Sequence, residues 1–139
     1  MENILTITLP VYKRTEFIRK ALDSAINQTV KCKILVIDNN SPHEEFKKIV
    51  DEYNNPLIRY IRTDITVPLE ENFNNCFHYA DTPWVTILHD DDMLHIQFVE
   101  MARKILNEYA NIGGFAVKSY VGNLEWEGIY KKIDSEMRY

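Results

Sequence analysis

The chain has 139 residues, 45% of them hydrophobic, and carries a formal net charge of −5. This length and apolar content predict a single folded domain over residues 1–139 and exclude a disordered chain. Lys and Arg are scattered along an acidic sequence, which argues against nucleic acid as a partner.

No apolar run approaches the length of a membrane-spanning helix, and the N-terminus leads into a predicted strand without the pattern of a signal peptide. The expected location is therefore the cytoplasm. Cys32 and Cys76 lie far apart in apolar surroundings, so we expect them to be reduced core thiols. The histidines show no zinc-like spacing with these cysteines.

Strand and helix patterns alternate along the chain. Alternating Ile, Thr and Leu predict the first strand, and apolar residues at spacings of three and four predict the helices. The predicted strands are Ile4 to Leu9, Lys33 to Ile37, Leu57 to Ile61, Trp84 to Leu88 and Phe115 to Val121. The predicted helices are one that has Thr15 as its N-cap and ends near Asn27, one that follows the capping box Ser41-Pro42-His43-Glu44, and those over Leu69 to Ala80 and Ile96 to Tyr109.

This βαβαβαβαβ order predicts an α/β protein with an open, mostly parallel sheet and helices on both faces, in three α/β/α layers. The apolar face predicted for the third helix comprises Phe73, Cys76, Phe77 and Ala80. The segment that contains Trp126 and Tyr130 has no clear pattern.

The glycines exclude two common nucleotide-binding classes. All of them lie late in the chain, from Gly113 onward, so no glycine-rich turn follows the first strand. The chain therefore has neither a dinucleotide-binding fingerprint nor a phosphate loop. A signalling receiver domain has a similar length and topology but needs an acidic pair after the first strand, where this sequence has Pro10 and Val11.

Three consecutive aspartates, Asp90 to Asp92, follow the predicted strand Trp84 to Leu88 directly. Adjacent carboxylates repel one another unless a cation, hydrogen bonds or a helix N-terminus offsets their charge. Capping of the helix predicted from Ile96 explains one or two of them. Oxygen ligands at the carboxyl end of a strand also suit Mg²⁺ or Mn²⁺ that carries phosphates.

Segments that follow three predicted strands should converge at one edge of the sheet. They are Pro10-Val11-Tyr12-Lys13-Arg14, Asp38-Asn39-Asn40-Ser41 and His89-Asp90-Asp91-Asp92. Together with Ala21 to Thr29 (ALDSAINQT) and Glu71 to Ala80 (ENFNNCFHYA), they resemble the N-terminal, nucleotide-sugar-binding portion of GT-A glycosyltransferases of family 2. The resemblance covers residues 3–110 in order and implies a Rossmann-like GT-A fold.

The resemblance implies a nucleobase site at the first two segments. Tyr12 would lie against the base, and the backbone of Pro10 and Val11 would reach its edge. The family usually has two Asp after the second strand, and the second one reads the ring N–H of the base, whereas this chain has Asp38 followed by Asn39. An Asn carbonyl can accept the same hydrogen bond, but its NH₂ adds a donor. Uracil is favoured, and thymine and guanine remain open.

The resemblance also implies a metal site at the third segment. Asp91 matches the residue that bridges Mn²⁺ or Mg²⁺ to the donor diphosphate, Asp90 lies near the ribose hydroxyls or metal-bound waters, and Asp92 is a third candidate ligand. The metal would neutralise charge on the departing nucleoside diphosphate. His89 would contact the ribose or a metal-bound water, with a packed histidine as the alternative.

Arg14 and Arg62 are candidates for the diphosphate, with a solvated role as the alternative for either residue.

The implied function is a metal-dependent inverting glycosyltransferase that moves a sugar from a nucleoside-diphosphate sugar, a UDP-sugar being favoured, to a glycan or lipid-linked acceptor in polysaccharide biosynthesis. Peripheral contact with the inner face of the membrane stays open. The general base is unassigned, because none of the late acidic residues lies in a recognisable motif: Glu125, Glu127, Asp134 and Glu136.

The part of the chain after Asp92 is shorter than the acceptor-binding portion of the family, so we expect a fragment of a larger enzyme. The alternatives are a nucleotide-sugar-binding module without turnover and a metal-binding domain unrelated to sugars.

Overall fold

The computed structural model describes residues 4–119, and the chain divides into two units, Met1–Ile105 and Leu106–Tyr139. The first unit contains the sheet and the helices as far as Ile105. The described part of the second unit holds the end of the last helix and then a segment without helix or strand. The elements in chain order are β1 Leu5–Val11, α1 Ile18–Ile26, β2 Lys33–Asp38, α2 Glu45–Tyr53, β3 Ile58–Arg62, α3 Leu69–Tyr79, β4 Trp84–Ile87 and α4 Phe98–Glu108.

The strands form one parallel sheet in the order β3-β2-β1-β4. Thr8 in β1 aligns with Leu35 in β2 on one side and with Ile87 in β4 on the other. The chain first builds outward from β1 through β2 to β3 and then returns to place β4 on the opposite side of β1. Open α/β sheets bind ligands outside the carboxyl ends of their strands at such a reversal.

Helices cover both faces of the sheet, as the sequence predicts. Side chains alternate along β2, so Ile34 and Val36 join one buried cluster while Leu35 and Ile37 join another. Helices α1, α2 and α4 contribute their buried apolar residues to the first cluster, and α3 contributes Cys76 to the second. The prediction of a three-layer α/β/α domain with a parallel sheet is confirmed.

The threonines of β1 explain how a strand with polar residues can be buried. Thr6 and Thr8 face the side opposite Ile7 and are almost fully buried. The Thr6 hydroxyl shares a hydrogen bond of 2.6 Å with the Thr82 hydroxyl, and Thr8 donates to the carbonyl of Thr86 at 3.0 Å. Each buried hydroxyl thus has a partner, which removes most of the cost of its burial.

The two predicted cysteine thiols are also confirmed as buried and unpaired with each other. Burial raises the pKa of Cys32 to about 11 and raises the pKa of Cys76 as well. Both are therefore protonated, unreactive core thiols at neutral pH.

Two predicted helix caps are wrong. The first helix begins at Ile18, after Phe17, with no side-chain cap, so Thr15 does not cap it. The second helix begins at Glu45, not directly after Ser41, and also lacks a side-chain cap. The Ser41 hydroxyl instead accepts a hydrogen bond from the backbone N–H of Lys13. The hydroxyl that the local sequence assigned to the helix N-cap therefore takes part in a tertiary contact instead.

Other boundaries and faces differ in smaller ways. The sequence predicts Phe77 on the apolar face of α3, but this residue is 58% exposed. The buried residues of the helix are Asn72 and Cys76. The strand predicted from Phe115 to Val121 is absent over its described part, residues 115–119, where Phe115 and Val117 are exposed. Residues 120–121, Trp126 and Tyr130 lie outside the described residues.

No helix among residues 4–119 is long and apolar enough to cross a membrane.

Candidate functional site

The loops that follow β1, β2 and β4 meet at the carboxyl edge of the sheet. The backbone N–H of Asn39 donates to the carbonyl of Val11 at 2.9 Å, and the N–H of Leu88 donates to the carbonyl of Thr8 at 2.8 Å. These bonds extend the pairing of β1 with each neighbour past the ends of the strands. They also hold the three predicted segments side by side.

The loop after β1 is a tight turn fixed by its neighbours. Lys13 has a φ of 59°, in the left-handed region, which is strained for a residue with a side chain. Its N–H donates to Ser41 Oγ at 2.9 Å, and its carbonyl is 2.7 Å from His43 Nε2. The turn therefore depends on the loop after β2, and it leaves the ring of Tyr12 39% exposed with Lys13 Nζ 4.8 Å from its centre.

Pro10 and Val11, predicted to approach the base edge, lie in β1 and are buried. The carbonyl of Val11 already accepts from Asn39, as described above. The exposed part of this segment is Tyr12 to Arg14.

Asp38 ends β2 and has no exposed surface. Its Oδ1 accepts from the backbone N–H of Ser41 at 2.9 Å, and its Oδ2 accepts from the Tyr60 hydroxyl at 2.7 Å. The backbone carbonyl of Asp38 accepts from the N–H of Thr63 at 3.0 Å. The carboxylate thus holds the β2 loop against β3, and a ligand would reach it only by displacing these partners.

Asn39 is also occupied by the protein. Its side chain is 5% exposed and forms two hydrogen bonds with the backbone of Val67. The Nδ2 donates to the Val67 carbonyl at 2.8 Å, and the Oδ1 accepts from the Val67 N–H at 2.9 Å. The amide that the family resemblance assigns to the base therefore anchors the loop between β3 and α3. Its carbonyl keeps one lone pair for a further donor.

The acidic segment after β4 forms a turn and not a helix start. The N–H of Asp92 donates to the carbonyl of His89 at 3.1 Å, and α4 begins only at Phe98. Helix capping therefore does not account for these aspartates. Asp91 and Asp92 are exposed, whereas the Asp90 side chain retains only 14% of its exposure.

Arg14 connects the loop after β1 with this acidic turn. Its Nη2 donates to Asp90 Oδ1 at 2.8 Å and to Asp91 Oδ2 at 3.0 Å, while its Nε donates to Asp90 Oδ2 at 3.3 Å. These bonds, led by the one with Asp90, raise the pKa of the guanidinium further above its already high value. The ring of Phe17 lies 5.1 Å from the guanidinium carbon and supports its position.

One nitrogen of Arg14 thus occupies a point that is within 3.0 Å of an oxygen from each of two carboxylates. A divalent metal bound to the same two oxygens would lie closer to each of them, at about 2.0–2.6 Å, and would displace the guanidinium. Among residues 4–119, no group of three or more His, Cys, Asp or Glu side chains converges closely enough to hold a metal alone. The remaining ligands would have to be water or phosphate oxygens.

His89 and Arg62 have different surroundings. His89 is exposed and packs edge to face on Phe73, with the ring centres 5.4 Å apart. Arg62 is engaged by the protein: its guanidinium donates to Asn40 Oδ1, to Glu44 and to the carbonyls of Ser41 and His43. Arg62 therefore holds the loop after β2, and the structure favours Arg14 as the arginine that faces the edge.

Several contacts that build this edge were not identified from sequence. Ser41 and His43 fix the Tyr12 to Arg14 turn, and Tyr60 is the partner of Asp38. The contact of Tyr60 with Asp38 follows from the alignment of β3 with β2. Tyr60 pairs with Val36, which lies two residues before Asp38 on the same face of β2. No local signal indicates the contacts of Ser41 and His43 with Lys13.

These features define a Rossmann-like α/β domain whose polar loops gather at the carboxyl ends of its strands. The sequence model described as glycosyl transferase family 2 matches residues 6–138, and the chain belongs to that family.

Two relatives illustrate this membership. The glycosyltransferase GlyA of Streptococcus pneumoniae is 28% identical over 132 residues, which cover 94% of this chain and 18% of that protein. The GalNAc(5)-diNAcBac-PP-undecaprenol beta-1,3-glucosyltransferase of Campylobacter jejuni is 27% identical over 139 residues, which cover 96% of this chain and 45% of that protein. The chain thus spans less than half the length of either relative.

Solved structures agree on the fold. The structure of TarS from S. aureus superposes with a TM-score of 0.69 over 83% of this chain and 23% of TarS, at 15% sequence identity. A structure of TarS in complex with UDP-GlcNAc gives a TM-score of 0.67 over 83% of this chain and 37% of that chain, at 17% identity. The predicted GT-A fold is confirmed.

Proposed function

We propose that this chain is the donor-binding domain of a metal-dependent inverting glycosyltransferase. It would use a nucleoside-diphosphate sugar, with a UDP-sugar favoured, and transfer the sugar to a glycan or lipid-linked acceptor in polysaccharide biosynthesis. The observation that carries this proposal is the junction of Arg14 with Asp90 and Asp91 at the strand edge, because it gathers groups that handle a diphosphate.

The names of similar proteins support the choice of donor and acceptor. TarS has been solved with UDP and with UDP-GlcNAc, which favours a uridine nucleotide for a chain of the same fold. The Campylobacter jejuni relative is named for a lipid-linked, undecaprenol diphosphate acceptor. An acceptor of this kind would bring the domain to a membrane surface.

In this proposal Tyr12 provides the face on which the nucleobase lies, because its ring is exposed at the end of β1. His89, exposed on the neighbouring turn, would contact the ribose. The side-chain amide of Asn39 would reach the base only with its spare carbonyl lone pair, so the backbone of the loops contributes the rest of base selection.

Asp91 and Asp90 would hold Mn²⁺ or Mg²⁺, with Asp92 as a third candidate. The metal would supply neutralisation of the charge that builds on the leaving nucleoside diphosphate. A site of one or two carboxylates completed by substrate phosphates is typical of Mg²⁺. Arg14 would add a planar, always charged guanidinium that can bind the diphosphate with two parallel hydrogen bonds.

Transfer also needs a general base for the acceptor hydroxyl, and we assign none of the described carboxylates to this role. Because the chain spans less than half of its relatives, a second candidate function is nucleotide-sugar binding without turnover. Release of nucleoside diphosphate from a donor sugar, with and without acceptor, separates the two functions.

The test of the donor site is a thermal-shift panel with uridine, thymidine, guanosine and cytidine diphosphates, each with and without Mn²⁺. A ligand at about 100 times its Kd should raise the Tm by about 8 °C. We expect this rise with UDP and Mn²⁺ together, and its loss in Asp91→Asn. Asp51→Asn is the matched control, since Asp51 is an exposed carboxylate on α2, paired with Lys47 and remote from the edge.

Absence of a shift for every nucleotide, or a shift that Asp91→Asn retains in full, would contradict the proposal.

A further inference from the structure

Arg14 and Arg62 both lie at the carboxyl edge of the sheet but are held in different ways. Arg62 donates to backbone carbonyls of the loop after β2, and its side chain is 28% exposed. The guanidinium of Arg14 forms its hydrogen bonds with the described residues only to Asp90 and Asp91, and its side chain is 44% exposed. Arg62 is built into the fold through backbone carbonyls, whereas the Arg14 guanidinium is held by two carboxylates and the ring of Phe17.

The Arg14 guanidinium occupies the two carboxylate oxygens that a metal at this turn would use. Its Nη2 lies at 2.8 Å from Asp90 and 3.0 Å from Asp91, between two carboxylates that are adjacent in the chain. Adjacent carboxylates repel one another, and a cation between them offsets this repulsion. A guanidinium and a divalent cation cannot occupy this point together, so binding of one requires departure of the other.

The backbone of Arg14 need not move for this exchange. The turn that carries it is fixed through Lys13, whose N–H and carbonyl are bound by Ser41 and His43. Only the long side chain of Arg14 has to rotate. From the same Cα it can then bind a diphosphate that bridges the metal, for which its planar fork is suited.

We propose that Arg14 is an exchangeable counterion of the acidic turn. It bridges Asp90 and Asp91 in the metal-free protein, yields this place to the divalent cation and then binds the donor diphosphate. The inference rests on the proposed function, since it assumes that the acidic turn binds a metal and a nucleoside diphosphate. Arg14 in this view contacts the donor and couples metal binding to donor binding.

The exchange predicts effects of opposite sign in Arg14→Gln. Removal of the competing cation should tighten the binding of Mn²⁺ alone by at least about fivefold, at the lower end of ordinary coupling between two ligands. The affinity for UDP at saturating Mn²⁺ should fall by about tenfold, because a charged hydrogen-bond donor is lost. Both constants are measured by calorimetry on the full chain, and the unliganded Tm reports that the variant is folded.

Lys13→Gln is the matched control for charge. It removes one positive charge from the same turn without touching the acidic pair, since Lys13 Nζ lies over the ring of Tyr12. We expect its affinity for Mn²⁺ alone to stay within about twofold of the wild type, since exposed charges act weakly at this range in salt. Equal tightening in Lys13→Gln and Arg14→Gln would show a general charge effect and overturn the exchange.

A spectroscopic readout follows the side chain itself. The Nε–Hε resonance of Arg14, assigned by its absence in Arg14→Gln, should shift when Mg²⁺ is added without nucleotide. The inference is overturned if the wild type binds Mn²⁺ and UDP but its Arg14 resonance does not shift and Arg14→Gln binds Mn²⁺ no more tightly. The proposed donor site would stand in that case. Loss of all Mn²⁺ and nucleotide binding in the wild type and the variants overturns both proposals.

Discussion

Asp38 ends β2 with a fully buried carboxylate, whereas Asp90 and Asp91 follow β4 with carboxylates that reach solvent. Both oxygens of Asp38 accept hydrogen bonds from fixed protein groups, the Tyr60 hydroxyl and a backbone N–H. Asp90 and Asp91 share the side chain of Arg14. The two regions lie at the same edge of the sheet, yet one carboxylate is satisfied by the fold and the other pair by a replaceable cation.

The two regions therefore have different roles at the same edge of the sheet: one stabilises the fold and the other is available to a ligand. A buried carboxylate with two fixed donors contributes to stability, because loss of the carboxylate leaves those donors without partners. The ion pairs after β4 contribute less to stability, because the side chains of Arg14 and Asp91 are 44% and 48% exposed and water and salt screen their charges. The pair after β4 can therefore release its counterion for a ligand, and Asp38 cannot.

The largest expected effect separates the two regions by stability. Asp38→Ala leaves the Tyr60 hydroxyl and the Ser41 N–H without acceptors, so we expect a loss of about 3 kcal/mol in the free energy of unfolding. Asp91→Ala should change it by less than about 0.5 kcal/mol. Urea denaturation of the two variants measures both values. Similar losses of unfolding free energy in the two variants would contradict the distinction between a structural and a ligand-binding region.

A smaller effect on stability is expected at Asn39. The residue either anchors Val67 or reads the base, and these two roles predict opposite changes in nucleotide affinity for Asn39→Asp. Asn39→Asp removes the donor to the Val67 carbonyl and sets a carboxylate against that carbonyl, which should cost about 2 kcal/mol of stability and loosen the loop before α3. Nucleoside diphosphate binding should weaken with it. If Asn39 instead reads the ring N–H of the base, Asp should bind the base more tightly.

Asn74→Asp makes the same chemical change at an exposed position of α3 and is the control for added charge. Calorimetry with UDP and Mn²⁺ compares the two variants with the wild type. Tighter UDP binding in Asn39→Asp alone would show that the anchoring of Val67 is secondary to direct base recognition.

The sequence predicted the elements well because each of them follows from a local pattern. The alternation in β1 and the three-and-four spacing in α1 depend only on which side chains face the core. The loop contacts were missed because they join residues far apart in the chain. Ser41 has the sequence context of an N-cap, and only the approach of Lys13 gives its hydroxyl another role.

The candidate site shows the same limit. The convergence of Arg14 with the acidic turn follows from strand order, since β1 and β4 are neighbours in the sheet. Sequence placed Arg14 and Arg62 on equal terms, because both lie near strand ends and a strand end does not specify hydrogen-bond partners. Only the tertiary structure shows that Arg62 is bound to backbone carbonyls while Arg14 is bound to carboxylates.

The smallest expected effect is a pH dependence of stability to which the buried region around Asp38 contributes through Tyr60. Burial, followed by the hydrogen bond to Asp38, raises the pKa of Tyr60 above its ordinary value of about 10. Below that pH the phenol is protonated in both the folded and unfolded states, and its contribution to stability is complete. As the pH rises further, the unfolded state loses the proton first and binds fewer protons, so stability falls.

Tyr60→Phe should therefore lower stability by about 1 kcal/mol at neutral pH and flatten its decline above pH of about 10. Tyr53→Phe is a matched deletion on α2, where burial and the bond to Asp23 raise the pKa of Tyr53 to about 12, so it should flatten the same limb without touching Asp38. Urea denaturation across alkaline pH measures each contribution. An alkaline limb in Tyr60→Phe as steep as that of the wild type would mean that the bond between Tyr60 and Asp38 does not hold the edge.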